Sequence, residues 1–128
     1  PVKLQSFVDE VPDIAWDLID LSEKPLTIIF NGAKNLAQNL ISDDGTIGIR
    51  ITSEDFSRAL CNRFRKPIVS TSANFTGDVT PQNFNQINPE IIDLVDYVVE
   101  YRQNEMMKHT PSSIIKLATN GNIEIIRK

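Results

Sequence analysis

Cysteine and histidine are nearly absent from this 128-residue sequence, which has one of each, Cys61 and His109. A single cysteine forms no internal disulfide and builds no thiolate metal cluster. It fits a reducing compartment, and the expected location is the cytoplasm. Cys61 has no partnering base nearby in sequence and reads as a small packing residue. A lone histidine in a polar stretch is more often solvated than catalytic. Aromatic residues make up 7% of the chain, so the core has to be built mostly from Ile, Leu and Val. A surplus of positive charge is missing too. The formal net charge is -4, which argues against a broad nucleic-acid-binding surface, although not against a local patch. The apolar runs are only a few residues long, too short to cross a bilayer. There is no P-loop, G-x-G-x-x-G, G-x-S-x-G or H-E-x-x-H sequence, so a nucleotide site here needs another construction.

What is present is an ordinary globular balance, 41% hydrophobic and 23% charged, in a length suited to one domain. Early apolar residues Val2, Leu4, Phe7, Val8 and Val11 lead to Pro12. Ile14, Ala15, Leu18, Ile19 and Leu21 then recur at helical spacing, which predicts a helix over residues 12–22 with Trp16 packing on it. Residues 26–30 read as a buried strand. A short helix is expected near residues 36–41. Asp43-Asp44-Gly45 reads as a turn rather than a metal site. Residues 46–52 alternate around Ile47, Ile49 and Ile51, putting Thr46, Gly48, Arg50 and Thr52 on one strand face. An arginine above a glycine gap is either an anion clamp or an exposed side chain on a solvated face, and local pattern does not choose between them.

Ser53 is expected to cap a helix over residues 54–64. The cations Arg58, Arg63, Arg65 and Lys66 suit its C-terminal half, and a solvated face explains them better than RNA contact. Pro67-Ile68-Val69-Ser70-Thr71-Ser72-Ala73-Asn74 reads as a buried strand, residues 68–70, ending in a loop rich in hydroxyls. Composition alone favours a plain turn over a ligand loop here. Thr80-Pro81 has the pattern of a helix start, giving a short helix over residues 82–87, with another turn of helix near 90–95. Residues 96–101 read as a strand and 102–111 as a loop. Two final strands, 112–117 and 123–127, flank the hairpin signal Asn120-Gly121. The element order predicts an α/β (α+β) fold, a mixed sheet with helices packed on it.

Three separated stretches, Thr46-Ile47-Gly48-Ile49-Arg50, then Pro67 to Asn74 with Gly77 after it, then Thr110-Pro111-Ser112-Ser113-Ile114-Ile115 leading to Ile125-Ile126-Arg127, occur in this order. With Pro25-Leu26-Thr27-Ile28-Ile29, they resemble the YrdC-like threonylcarbamoyl-AMP synthase family over nearly the whole chain. The resemblance implies a single YrdC-like domain, residues 1–128, with a twisted mixed sheet and a concave groove. It implies a nucleotidyltransferase that makes threonylcarbamoyl-AMP from L-threonine, bicarbonate and ATP, with Mg²⁺ accompanying the ATP. A partner complex would pass the threonylcarbamoyl group to tRNA; no membrane is involved. Carried over by position, Arg50, Ser70 and Ser112 are expected to contact L-threonine. Thr46, Ser72, Asn74, Thr80 and Arg127 are expected to contact ATP. No residue is expected to act as a covalent nucleophile; Arg50, Ser72 and Asn74 would position and stabilise charge.

The sequence departs from the family in places. The P-T-D-T-like strand, the K-x-R element and a threonine-contacting histidine of the family's N-terminal part have no equivalent after Pro1. The chain is therefore expected to be the C-terminal two-thirds of the catalytic domain, binding ATP weakly and inactive alone. Lys116 stands where the family often has an acidic residue, and the span from Ser112 to Arg127 is one residue longer. Two other readings are a non-catalytic RNA-binding module and the YrdC-like domain of a carbamoyltransferase. The second is disfavoured because such proteins carry cysteine clusters nearby.

Overall fold

In a computed structural model that describes residues 3–128, the first helix begins where Pro12, with its fixed φ, hands over to Asp13. The expectation for Val2, and the reading of Pro1, lie outside the described residues. Helix α1 spans Asp13–Leu21. It buries Ala15 completely and packs Trp16, Leu18 and Ile19 against the core, while Leu21 at its end is exposed.

The strands are β1, Leu26–Phe30; β2, Ile47–Arg50; β3, Ser113–Leu117; and β4, Ile123–Arg127. Their order in the sheet is β2-β1-β3-β4. The β1–β3 pair is parallel and the two outer pairs are antiparallel, so the sheet is mixed, as expected. Register explains the core. Ile28 lies opposite both Ile49 and Ile115, and Phe30 opposite both Ile47 and Leu117. With a side-chain period of two, these residues share one face. Leu4, Val8 and Ala15 complete that core from outside the sheet. The Asn120-Gly121 hairpin forms: Gly121 takes a positive φ of 89, its N–H donates to the Ala118 carbonyl, and the Ala118 N–H donates to the Asn122 carbonyl.

Helix α2 spans Asp55–Phe64 and α3 spans Pro89–Leu94. Ser53 does not cap α2. Instead the Glu54 carboxylate accepts from the N–H groups of Phe56 at 3.1 Å and Ser57 at 2.7 Å, and the Thr52 hydroxyl accepts from the Glu54 N–H. The longer side chain reaches two orphan donors at once, which one hydroxyl does less well. The short helices expected near 36–41 and 82–87 are single 3-10 turns, Gln38–Leu40 and Phe84–Gln86. The second ends at Ile87, which is extended, and the next residue, Asn88 before Pro89, caps α3, its side chain accepting from the Glu90 N–H.

The chain divides into two compact units. One contains the residues up to Arg63 together with Pro111–Lys128, and the other is Phe64–Thr110. In the second unit the strands expected at 68–70 and 96–101 do not form. Val69 is 67% exposed and Tyr97 78%. An apolar run becomes a strand only when a neighbour takes up its N–H and C=O groups. Neither segment pairs with a strand; the Val99 carbonyl accepts from the Gln103 side chain, and this unit's backbone bonds lie elsewhere, such as Asp78 N–H to the Phe75 carbonyl and His109 N–H to the Gln82 carbonyl.

Candidate functional site

The sheet face opposite the core carries the polar residues. Arg50 on β2 lies opposite Thr27 on β1, Thr27 opposite Ile114 on β3, and Ile114 opposite Arg127 on β4. Directly opposed residues project to the same side, so Arg50, Thr27 and Arg127 occupy one row. Ser112, just ahead of β3, joins it through a hydroxyl–hydroxyl contact of 2.8 Å with Thr27. Arg127 donates from Nε and Nη2 to the Ser112 carbonyl at 2.9 and 2.7 Å, and the Ser113 N–H donates to the Pro25 carbonyl. Ser112 is thereby fixed from both sides. Gly48, opposite Ile29, leaves a gap in the same face. A Cβ placed there would come within 3.3 Å of Thr27 Cγ2.

Thr46 lies one residue before β2 and is 5% exposed. Its hydroxyl donates to Asp44 Oδ1 at 2.7 Å, and its N–H donates to the same oxygen at 3.1 Å. Lys116 Nζ stands 3.6 Å from the other Asp44 oxygen. These hydrogen bonds, led by that from the Thr46 hydroxyl, hold the Asp44 carboxyl below the usual carboxylate range. The Thr46 proton is thus committed to Asp44, and what the hydroxyl can still offer a ligand is its lone pairs. Arg50 is exposed, and its side chain makes no hydrogen bond or ion pair with any of the described residues.

Ser70, Ser72, Asn74 and Thr80 belong to the unit Phe64–Thr110. Ser70, Ser72 and Thr80 are exposed on non-strand backbone. Asn74 shapes its own loop, its Nδ2 donating to the carbonyls of Phe75 at 3.0 Å and Asp78 at 3.2 Å. Its Oδ1 is buried without a partner among the described residues, an acceptor left facing inward. Thr80 and Pro81 precede the 3-10 turn without starting a helix, so the expected helix N-terminus at Thr80 is absent. In the same unit Arg102 donates to Glu105 through both Nε and Nη2, the latter at 2.8 Å, and His109 Nε2 lies 3.2 Å from Glu105 Oε1. The Glu105 carboxyl is held below its usual range, chiefly by the Arg102 hydrogen bond.

The structure therefore gathers Thr46, Arg50, Ser112 and Arg127 on one sheet, while the other four expected contacts sit on loops of a separate unit. Sequence pattern missed two members of the sheet group. Thr27 lies in a run that reads as plain core strand, although its place on the face opposite Ile28 follows from period two. Asp44 reads as an ordinary turn residue. Among the described residues no three His, Cys, Asp or Glu side chains gather to hold a metal ion. No helix among the described residues is long and apolar enough to cross a membrane.

Residues 1–128 match the model of the Sua5/YciO/YrdC family, which is described as "Telomere recombination". The chain is 30% identical over 124 residues to a threonylcarbamoyl-AMP synthase of Pseudoalteromonas translucida, covering 94% of this chain and 65% of that protein. It is 34% identical over 116 residues to a putative threonylcarbamoyl-AMP synthase of Methanocaldococcus jannaschii, covering 90% and 53%. A threonylcarbamoyl-AMP synthase of Wigglesworthia glossinidia brevipalpis is 31% identical over 107 residues, covering 80% and 50%. The chain spans about half to two thirds of the length of these curated relatives. No solved structure matches it.

Proposed function

The chain belongs to the Sua5/YciO/YrdC family, and from that premise we propose that the protein carrying it makes threonylcarbamoyl-AMP from L-threonine, bicarbonate and ATP, for threonylcarbamoyl modification of tRNA. The observation that carries this reading is Arg50: an exposed guanidinium without a partner among the described residues, set on a glycine-gapped polar sheet face beside Thr27 and Ser112. A free guanidinium fork suits a carboxylate, and the adjoining hydroxyls suit its second oxygen or the substrate amine.

In this reading Arg50 clamps the L-threonine carboxylate and Ser112 contacts the same substrate, with Ser70 from the loop. Thr46 faces the nucleotide as an acceptor. Arg127 braces Ser112 and turns its remaining N–H groups to ATP, while Ser72, Asn74 and Thr80 add nucleotide contacts. The threonine amine, once carboxylated to a carbamate, attacks the α-phosphorus of ATP through a carbamate oxygen, and pyrophosphate leaves. This makes the enzyme a nucleotidyltransferase. The chain's side chains supply position and charge rather than a covalent intermediate. Mg²⁺ would travel with the ATP phosphates. The reading further places the enzyme in the cytoplasm, with tRNA reached through a transfer complex and residues 1–128 as one YrdC-like domain.

The test is calorimetric titration of ATP into the full-length protein with and without L-threonine. Threonine is expected to tighten ATP binding, and pyrophosphate release is expected to require threonine and bicarbonate. If threonine leaves nucleotide affinity unchanged, the reading fails. Salt-dependent RNA binding in its place would favour a non-catalytic RNA module.

A further inference from the structure

Thr27 stands at the centre of the polar face, yet as a strand residue it needs no functional explanation by itself, since threonine is at home in strands. Its hydroxyl is what calls for one. It lies 2.8 Å from the Ser112 hydroxyl, and either oxygen can be the donor. The pair has two O–H protons and consumes one in the contact between them. No other partner of either hydroxyl occurs among the described residues. One O–H and several lone pairs are therefore left over, in a half-buried position beside the Gly48 gap and across from the unpartnered Arg50. The Ser112 backbone is already held by Arg127 on one side and tied to β1 through Ser113 on the other. Its remaining freedom is the hydroxyl rotor, and the contact with Thr27 restricts it.

We propose that Thr27 is a positioning residue of the amino-acid site, locking the Ser112 hydroxyl so that the pair presents one directed O–H and one directed lone pair to the L-threonine that Arg50 anchors. This rests on the function proposed above. Thr27 acts through Ser112, so its loss weakens the amino-acid substrate and spares the nucleotide. The Gly48 gap belongs to the same device: any side chain there would press on Thr27 Cγ2 and turn its hydroxyl.

The experiment is steady-state pyrophosphate release by the full-length protein and its variants Thr27→Val and Thr27→Ser, with KM measured separately for L-threonine and ATP. Valine keeps the shape and deletes the hydroxyl; serine keeps the hydroxyl and deletes the methyl. One lost hydrogen bond at a site already built corresponds to roughly a 3- to 10-fold rise in KM for L-threonine in Thr27→Val. The KM for ATP and the melting temperature should hardly move, and Thr27→Ser should return the threonine KM to within about twofold of the parent. Equal rises in both KM values, or an unchanged threonine KM in Thr27→Val, overturn the proposal. So does a Thr27→Ser enzyme whose KM for L-threonine rises above the parent's by the roughly 3- to 10-fold of a lost hydrogen bond, because the methyl rather than the hydroxyl would then matter. This last arm holds even if the valine variant does not fold. A parent protein whose pyrophosphate release ignores threonine overturns the function itself. A threonine-dependent parent with an indifferent Thr27→Val overturns only this inference.

Discussion

Thr46, Arg50 and Ser112 are carried by a hydrogen-bonded sheet, whereas Ser70, Ser72 and Asn74 are carried by a loop, and the two groups are positioned by different physics. On the sheet, register decides which side chains meet. Arg50, Thr27 and Arg127 share a face because strands pair residue by residue, and Ile28, Phe30, Ile115 and Leu117 fall on the other face for the same reason. In the loop, no ladder fixes the backbone, and position comes from side chains that bond locally, Asn74 above all. A sheet site is made precise by its core. A loop site is only as precise as the few bonds that hold the loop.

The largest effect that would test this contrast is on stability. Phe30 is 1% exposed in the sheet core, and Phe30→Ala should cost about 3–5 kcal/mol, through lost burial and the cavity left behind. Val69, 67% exposed on the loop unit, should cost no more than about 0.5 kcal/mol as Val69→Ala. Urea denaturation of both variants measures the difference. Comparable costs would mean that residues 68–70 are packed as a buried strand after all, and the contrast would collapse.

The next effect is on binding. Arg50→Ala should weaken L-threonine by about 1.5–3 kcal/mol, roughly 10- to 150-fold, because a charge-assisted contact is lost. ATP affinity measured without threonine should stay within about threefold. Ser72→Ala should do the reverse and by less, roughly 3- to 10-fold on ATP alone. Calorimetry on the full-length protein separates the two ligands. An Arg50→Ala protein that loses ATP and threonine together would remove the division of labour between sheet and loop.

The sheet was legible in the sequence almost strand for strand. The strands expected at 26–30 from a buried apolar run, at 46–52 from alternation, and at 112–117 and 123–127 around Asn120-Gly121 form as Leu26–Phe30, Ile47–Arg50, Ser113–Leu117 and Ile123–Arg127, and each finds a partner. The face shared by Thr46, Gly48 and Arg50 could be read from period two before any pairing was known. Residues 68–70 and 96–101 carry equally apolar patterns and fail as strands, because pattern reports what a segment could bury and not whether an edge is there to receive it. Thr80 misled for a related reason. A Thr-Pro pair is a helix start only when helix-forming residues follow, and here Asn88-Pro89 stops the chain after a single 3-10 turn. Thr27 and Asp44 were visible as residues but not as site members, since the hydroxyl pair with Ser112 and the reach of Lys116 to Asp44 join positions far apart in sequence.

Turn strain offers a smaller, paired test. Gly121 and Gly77 have nearly the same positive φ, 89 and 91. Alanine at Gly121 puts its strain into the hairpin that joins β3 to β4, and about 1–2 kcal/mol of stability should be lost. Alanine at Gly77 strains a turn anchored, among the described residues, by the Asp78 N–H to the Phe75 carbonyl and the Asn74 side chain. That loop can relax, so thermal denaturation should register less than half the Gly121→Ala loss. Equal losses would show the loop to be as tightly framed as the sheet.

The smallest effect is acid titration, and it reads the two regions through one carboxylate each. Asp44 accepts from the Thr46 hydroxyl and N–H, with Lys116 nearby; Glu105 accepts from Arg102, with His109 nearby. Both carboxyls are held below their usual range, Asp44 first by the Thr46 hydroxyl and Glu105 first by Arg102. A folded-state pKa below the unfolded one means more protons bound in the unfolded state. The stabilisation is then complete above the unfolded value, about 4, and is lost as pH falls through the folded value. Between pH 5 and 8 these two carboxylates should leave stability flat. Below about pH 4 the Thr46 amide should lose protection from hydrogen exchange as Asp44 protonates, and the 102–109 loop should loosen as Glu105 does. Asp44→Asn should abolish the first response and leave the second, while Glu105→Gln should do the opposite. If Asp44→Asn leaves the acid response of Thr46 intact, Asp44 is not what holds the start of β2. The sheet side of the site would then owe its order to strand register and core alone.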